Sequence, residues 1–519
     1  MKPRITTIFL PIIAALVLAA FTSAEQICYD HPNPMNPLQR EKVPCELVPA
    51  DTVSRRDYNH RVHNRRDQLS YNGSDSFQIT FTCRANATVC AKAKNAFQQA
   101  GTIITGVLKL SVPIIVNATF YSFCKESNDC GTANFITLEY HLDVPHKILI
   151  PGGSYPARTM VILDDDGLNR YYPQALVKQL NLKSHPTYGP YDITSVFNAD
   201  APFFFEYICC GVRFVRFDCV AVFGLLDVRP VLIVHINPTT QEDGTITAVQ
   251  SDFLFVILHE FMHGLGFYSN WNDYINQVPQ ALTPDVTPLD TRDPSQFIDL
   301  LASVTFSGFY ESVFDRYMVL LPSLTPTTQL TRTLNGFAGG IGAKFSGYDT
   351  FFTQFIASPQ YQTAVSMFKT SITSYDLGFM PTNGSTLADV FVLETSLNPF
   401  AEGSSISHAD YKTYTNTSDF LMRYMEDRGV TIRDAVNRGG GGPIGPKLIR
   451  VLETLGYATI SQPNPDRNTG TFTGTNASTT TSGNTAARPG GPGRLWAVVV
   501  AAVVVLVFGE KMRDFVRDF

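Results

Sequence analysis

Between residues 76 and 121 the hydrophobic pattern changes period twice. The segment SFQITFTC (76–83) alternates apolar and polar positions, AKAKNAFQQAGTIITGVLKL (91–110) has helical spacing and ends before Pro113, and VPIIVNATF (112–120) is again β-rich. This predicts strand, helix, strand. RTMVILDD (158–165), the helix-like PQALVKQLNL (173–182) and RPVLIVHIN (229–237) extend the series, and SDFLFVILHEFMHGLGF (251–267) is apolar enough for a buried helix. Residues 264–407 are mixed, with proline-rich loops at 283–294 and 321–326 and helical spacing at 297–301 and 358–368. No internal repeat is present. The order of elements predicts an α/β fold.

The chain ends read differently from its middle. Lys2 and Arg4 precede an apolar run that closes near Phe21, and Thr22, Ser23 and Ala24 supply a small-residue cleavage site. Residues 1–24 are therefore expected to be a secretory signal peptide, with an uncleaved anchor as the alternative. Residues 25–75 form an N-terminal segment and a candidate pro-region, because Arg55-Arg56 and Arg65-Arg66 resemble processing sites. Residues 461–494 are rich in Thr, Ser, Gly, Asn and Pro and cannot pack a core, which predicts a disordered, O-glycosylated stalk. Residues 495–519 carry a short apolar run, LWAVVVAAVVVLVFG, followed by a charged tail. Either a GPI signal or a single-pass membrane anchor fits. The expected location is the secretory pathway and then the outer face of the plasma membrane or the cell wall.

Composition supports a folded, exported protein. With 44% hydrophobic and 17% charged residues in 519, the chain can bury a sizeable core. A net charge of -6 and only short Lys/Arg clusters argue against a nucleic-acid partner. All nine cysteines, from Cys28 to Cys219, precede residue 220, which predicts up to four disulfides in an oxidising compartment. Six N-x-S/T sequons, at Asn72, Asn86, Asn117, Asn383, Asn416 and Asn476, suit a glycoprotein.

The chemistry concentrates in HEFMHGLGFYS, 259–269. His259 and His263, four apart, share a helix face and can present imidazole nitrogens to one ion at about 2.0 to 2.1 Å. Glu260 is one step round, where a general base would stand. The bland reading is a core helix with two hydrogen-bonded histidines; burying both with a glutamate among apolar residues is costly without a partner. Gly264 and Gly266 can end the helix and turn the chain. Ser269 is a poor zinc ligand, and His408 is the one histidine after the helix.

HEFMHGLGF, then GSSISHAD at 403–410 and DFLMRY at 419–424, resembles the metzincin zinc proteases, in the leishmanolysin-like arrangement with a distant third histidine. The resemblance covers roughly residues 76–459. It implies a metzincin-like catalytic domain: a twisted mixed sheet and zinc-binding helix at 76–268, then a mostly helical or irregular C-terminal subdomain at 269–460. It also implies Zn2+ as cofactor, His259, His263 and His408 as ligands, Glu260 as general base, Gly266 as the turn glycine and Met422 as the methionine beneath the metal. Tyr424 matches an extra ligand of some members. Ser269 departs from the compact three-histidine motif.

The expected function is hydrolysis of a protein or peptide substrate by a monomeric, surface-attached zinc metalloendopeptidase. The alternatives are a catalytically silent adhesion or wall glycoprotein on the same scaffold, and a metal amidase acting on non-peptide bonds. Strand 229–237 could pair with an extended substrate or lie inside the sheet. Weaker features receive structural readings: a flexible loop at Gly439–Gly442, satisfied histidines at His141, His146 and His235, and a solvated turn rather than a calcium site at Asp164–Asp166. Cys28 or Cys45 could hold zinc in a latent form or pair as an ordinary disulfide.

Overall fold

The computed structural model describes residues 27–49, 70–74, 76–126, 130, 132–133, 148–182, 184–205, 244–276, 278–286, 303–464 and 471–472. All of these belong to the first of two compact units, Met1–Asn476 and Ala477–Phe519. In chain order, the elements that position the site begin with β1 (Ile27–Asp30), β2 (Glu41–Pro44), β3 (Ser70–Ser74), β4 (Phe77–Cys83), α1 (Ala87–Thr105) and β5 (Ile114–Tyr121). Next come β6 (Gly152–Pro156), β7 (Arg158–Leu163), β8 (Asn169–Pro173), β9 (Ile193–Asn198), α2 (Phe253–Gly264) and β10 (Phe309–Ser312). The C-terminal part is mainly helical, with α3 (Thr328–Asn335), α4 (Tyr348–Ile356), α5 (Pro359–Ser371), α6 (Ile432–Gly439) and α7 (Pro446–Leu455).

A five-stranded mixed sheet runs in the order β3-β4-β5-β9-β6. β4, β5 and β9 are mutually parallel, whereas β6 lies antiparallel to β9 at the end of the sheet. After Ala157 the chain continues as β7 into a second sheet, where β7 pairs with both β8 and β1. Helices α1 and α2 cover one face of the first sheet, and their common contact is Phe97. Its ring lies 4.8 to 6.0 Å from those of Phe81, Phe197, Phe253 and Phe261. Full burial of one such side chain stabilises by about 1.5 to 3 kcal/mol. Gly264 lets α2 approach the sheet, since a Cβ there would stand 2.4 Å from Ile193 Cγ2.

The predicted strands at 76–83, 112–120 and 158–165 and the helices at 91–110, 251–267 and 358–368 appear as β4, β5, β7, α1, α2 and α5, with shifted ends. The segment 173–182 is helical over one turn, Gln174–Val177, and so is shorter than its spacing predicts. Its polar side chains are committed elsewhere: Gln174 Nε2 and Lys178 Nζ donate to Asp192 at 2.8 and 2.7 Å, and Lys178 Nζ also reaches the Pro113 carbonyl.

The acidic run is a turn with Asp165 exposed, as expected, but its first member is not solvated. Asp164 is buried, and Asp164, Asp166 and Glu311 surround the fully buried Arg170. Gly439–Gly442 closes α6, with Gly440 as a left-handed cap. Disulfides join Cys28 to Cys45, Cys83 to Cys90 and Cys124 to Cys130, so neither Cys28 nor Cys45 is available as a thiolate ligand in this structure. Residues 27–49 are woven into the second sheet through β1. Among the described residues no helix is long and apolar enough to cross a membrane. The signal, the anchor, nearly all of the stalk, both Arg pairs, strand 229–237, helix 297–301, His141, His146, His235 and Cys209, Cys210 and Cys219 lie outside the described residues.

Candidate metal centre

Helix α2 starts at Asp252, whose carboxylate accepts from the N–H groups of Leu254 and Phe255 and so satisfies two unpaired donors. Asp252 also receives Ile432 N–H, while its own N–H donates to Glu426. The helix start is thereby tied to the segment that follows Met422. Burial pushes the Asp252 carboxyl up to about 6. The helix ends at Gly266, where φ is +113° and a Cβ would meet the ring of Pro173. This turn brings the Phe267 carbonyl back to His263 Nδ1, 2.7 Å away.

Each of the three predicted histidines is oriented by a backbone carbonyl. His259 Nδ1 lies 2.8 Å from Leu421 O, His263 Nδ1 2.7 Å from Phe267 O and His408 Nδ1 3.0 Å from Ser404 O. The carbonyls accept, so the hydrogen-bond network places the ring proton on Nδ1 in all three and leaves Nε2 as a lone pair. The three Nε2 atoms then converge, with separations of 3.1, 3.2 and 3.2 Å across 145 residues of chain between His263 and His408. Three nitrogens held about 2.0 to 2.1 Å from one tetrahedral ion are spaced about 3.3 Å apart. The triad fits a metal ion in spacing and in protonation, because three facing acceptors have no proton to share.

Electrostatics act in the same direction. Burial lowers His259 to about 4 and His263 to about 3, with the neighbouring His259 adding to the latter. His408 is held well below the usual imidazole range, again chiefly by burial. The rings are thus neutral near pH 7, the form that binds a metal.

Met422 sits fully buried in a short 3-10 turn, Phe420–Met422. The turn acts through its backbone: Leu421 O orients His259, and Met422 O accepts the N–H of Ala409, the residue after His408. Glu260 is 8% exposed, and burial raises its carboxyl to about 8, opposed by the Ser154 N–H that donates to it. Tyr424 lies on the wall of a cavity beside the triad, its ring 5.6 Å from that of Tyr411. The metal-competent cluster among the described His, Cys, Asp and Glu residues is His259, His263 and His408.

A cavity of about 1000 Å³ opens beside the triad. Its walls include β6, the β1–β2 loop, Trp271 and residues 423–428. Sequence reasoning missed β6 and this loop. Neither GGSYP nor HPNPMNPLQR carries a pattern that announces a site; only strand order reveals β6 as the edge of the sheet.

Fold and site together define an α/β protein with a helix-borne histidine pair, a distant third histidine and a neighbouring carboxylate. Residues 28–212 and 223–490 match the SPBPB7E8-like family, and the chain belongs to it. It is similar to an uncharacterized protein of Schizosaccharomyces pombe, PB7E8.01, with 26% identity over 414 residues, 74% of this chain. The match spans 63% of that relative's length. No solved structure matches the chain.

Proposed function

We propose that the protein is a zinc metalloendopeptidase of the secretory pathway that cleaves polypeptides in the cavity beside His259, His263 and His408. The observation that carries this reading is the convergence of three Nε2 lone pairs within 3.2 Å, one helical step from Glu260. A zinc ion there would supply a Lewis acid that polarises a carbonyl and lowers the pKa of water to about 7.

The chain's own groups would do the rest. Glu260 takes the proton of the attacking water and returns it to the leaving amide nitrogen, so the carboxylate is regenerated as the C–N bond breaks. The Ser154 N–H fixes its carboxyl, and the edge strand β6 offers an extended polypeptide a partner for strand addition. Glu260 favours this reading over a silent adhesion protein, because a purely structural site needs no base beside the metal. The three disulfides support an oxidising, exported setting, and the C-terminal apolar run supports surface attachment by a GPI or single-pass anchor.

The test compares the unaltered protein with His408→Ala and Glu260→Ala. Native mass spectrometry should show one zinc per chain, weakened by the first substitution and retained in the second. Peptide cleavage should disappear in both and on chelation. Zinc retained equally in His408→Ala would remove the third ligand, and cleavage surviving Glu260→Ala would remove the base.

A further inference from the structure

We infer that the β1–β2 loop, residues 31–40, is the wall of the cleft that selects large apolar side chains of an extended polypeptide substrate. The inference deepens the peptidase reading above and rests on it. It begins with register: β1 pairs with β7 up to Asp30 opposite Arg158, so the loop leaves the sheet beside Ala157 and runs along β6. His31 N–H donates to Ala157 O at 2.9 Å and continues that register by one residue.

The loop is built rigid. Its sequence, HPNPMNPLQR, contains three prolines, each with φ fixed by its ring. The His31 ring spans Pro37 O at 3.0 Å and Thr159 Oγ1 at 2.9 Å, and Asn33 Oδ1 accepts the N–H of Met35. Arg158 grips Asp30 at the root through two nitrogens, and Cys28–Cys45 closes the hairpin behind it.

The rigid loop carries Met35 onto the edge strand. A Cβ built on Gly153 would lie 2.4 Å from Met35 Sδ, so the thioether rests on the backbone of β6. Gly153 is the neighbour of Ser154, which holds Glu260. Yet Met35 and Leu38 remain 38% and 43% exposed, and both line the cavity that contains the triad. Met425, also exposed, lines it too. Apolar groups already fixed in place lose little further freedom when a ligand meets them.

The loop's own cation is already paired. The nearby Arg40 guanidinium is closed by Asp285 and lies over the rings of Tyr29 and Tyr171, 4.8 and 5.4 Å from their centroids. The occupant is an extended polypeptide because β6 ends its sheet, and among the described residues no strand pairs with its outer edge.

The experiment uses the full-length protein and its Met35→Lys/Leu38→Lys variant, each with one zinc per chain confirmed by native mass spectrometry. Both meet a peptide mixture varied at one position at a time, with Leu and Phe compared with Glu. The expected result is a wild-type preference for Leu or Phe at one position, falling about 10-fold or more in the variant. An unchanged preference, or an equal loss on every peptide, would overturn the inference. If the wild type cleaves nothing, the peptidase reading fails on its own. Fluorescence anisotropy of a Leu-bearing peptide on Glu260→Gln then decides the loop's role: tight binding weakened by the double substitution supports it, and no binding or equal binding overturns it.

Discussion

The backbone N–H of Ser269 donates to Oγ of Ser407 at 3.1 Å. Ser269 occupies the place where a compact motif would put its third histidine, and Ser407 immediately precedes His408, the histidine that meets His259 and His263 instead. The chain leaving α2 therefore helps hold the loop that returns with His408. Ser269 is further fixed by Asp315, a buried carboxylate that also receives the N–H groups of Asn270 and Ser312 at 2.9 and 2.8 Å.

Removing the Ser407 hydroxyl should loosen the third ligand without removing it. Ser407→Ala is expected to weaken zinc binding about 10- to 100-fold, the range for groups that orient metal ligands. Competition with a chromophoric chelator measures this. Affinity equal to wild type would show that the Ser269–Ser407 bond does not support His408.

Gly266 carries a backbone requirement and a site requirement together. Gly266→Ala should destabilise the fold by about 1 to 2 kcal/mol through the left-handed conformation alone. The new methyl also meets the Pro173 ring. Because the turn delivers the Phe267 carbonyl to His263, zinc affinity should fall with stability. Urea unfolding with and without zinc separates the two effects, and an unchanged midpoint would exclude the proposed strain.

Asp315 predicts a pH dependence whose sign is fixed. Burial raises its carboxyl from 3.8 in the unfolded chain to about 7 in the folded one, so the folded state binds the proton more tightly. Its contribution is complete below about pH 4 and is lost as pH rises towards and through 7. Asp315→Asn, which keeps an acceptor for both N–H groups, should gain relative to wild type over that window, by up to about 4 kcal/mol. Parallel stability curves from pH 4 to 8 would refute the assignment.

Arg170 pairs with Asp164, Asp166 and Glu311 at 2.6, 2.8 and 2.7 Å, while Arg316 and Arg332 also reach Asp164 and Asp166 at 3.0 and 3.3 Å. Arg170→Met would strand buried carboxylates and should cost about 3 to 5 kcal/mol. Chemical denaturation checks this directly; a loss under 1 kcal/mol would mean that neighbouring Arg316 or water replaces the guanidinium.

Local pattern was sufficient for much of the fold. Alternation placed β4, β-rich composition placed β5, and apolar continuity closed by Gly264 and Gly266 placed α2. The segment 173–182 is helical only over Gln174–Val177, because helical spacing is a weak preference that does not fix a helix's length. Likewise, the run Asp164–Asp166 has the composition of a solvated turn, and only the arrival of Arg170 and Arg316 explains why Asp164 is buried.

For the site, the sequence by itself picked out the three candidate histidines, because imidazoles four apart on a helix face beside a glutamate are a recognisable pattern and one histidine remained downstream. Tertiary structure decided that His408 actually closes the triad, that carbonyls of Leu421, Phe267 and Ser404 aim the rings, and that β6 and the β1–β2 loop wall the cleft. The reason is physical. Side-chain chemistry is written residue by residue, whereas backbone carbonyls and strand edges are common to every residue and gain a role only when distant segments are packed together.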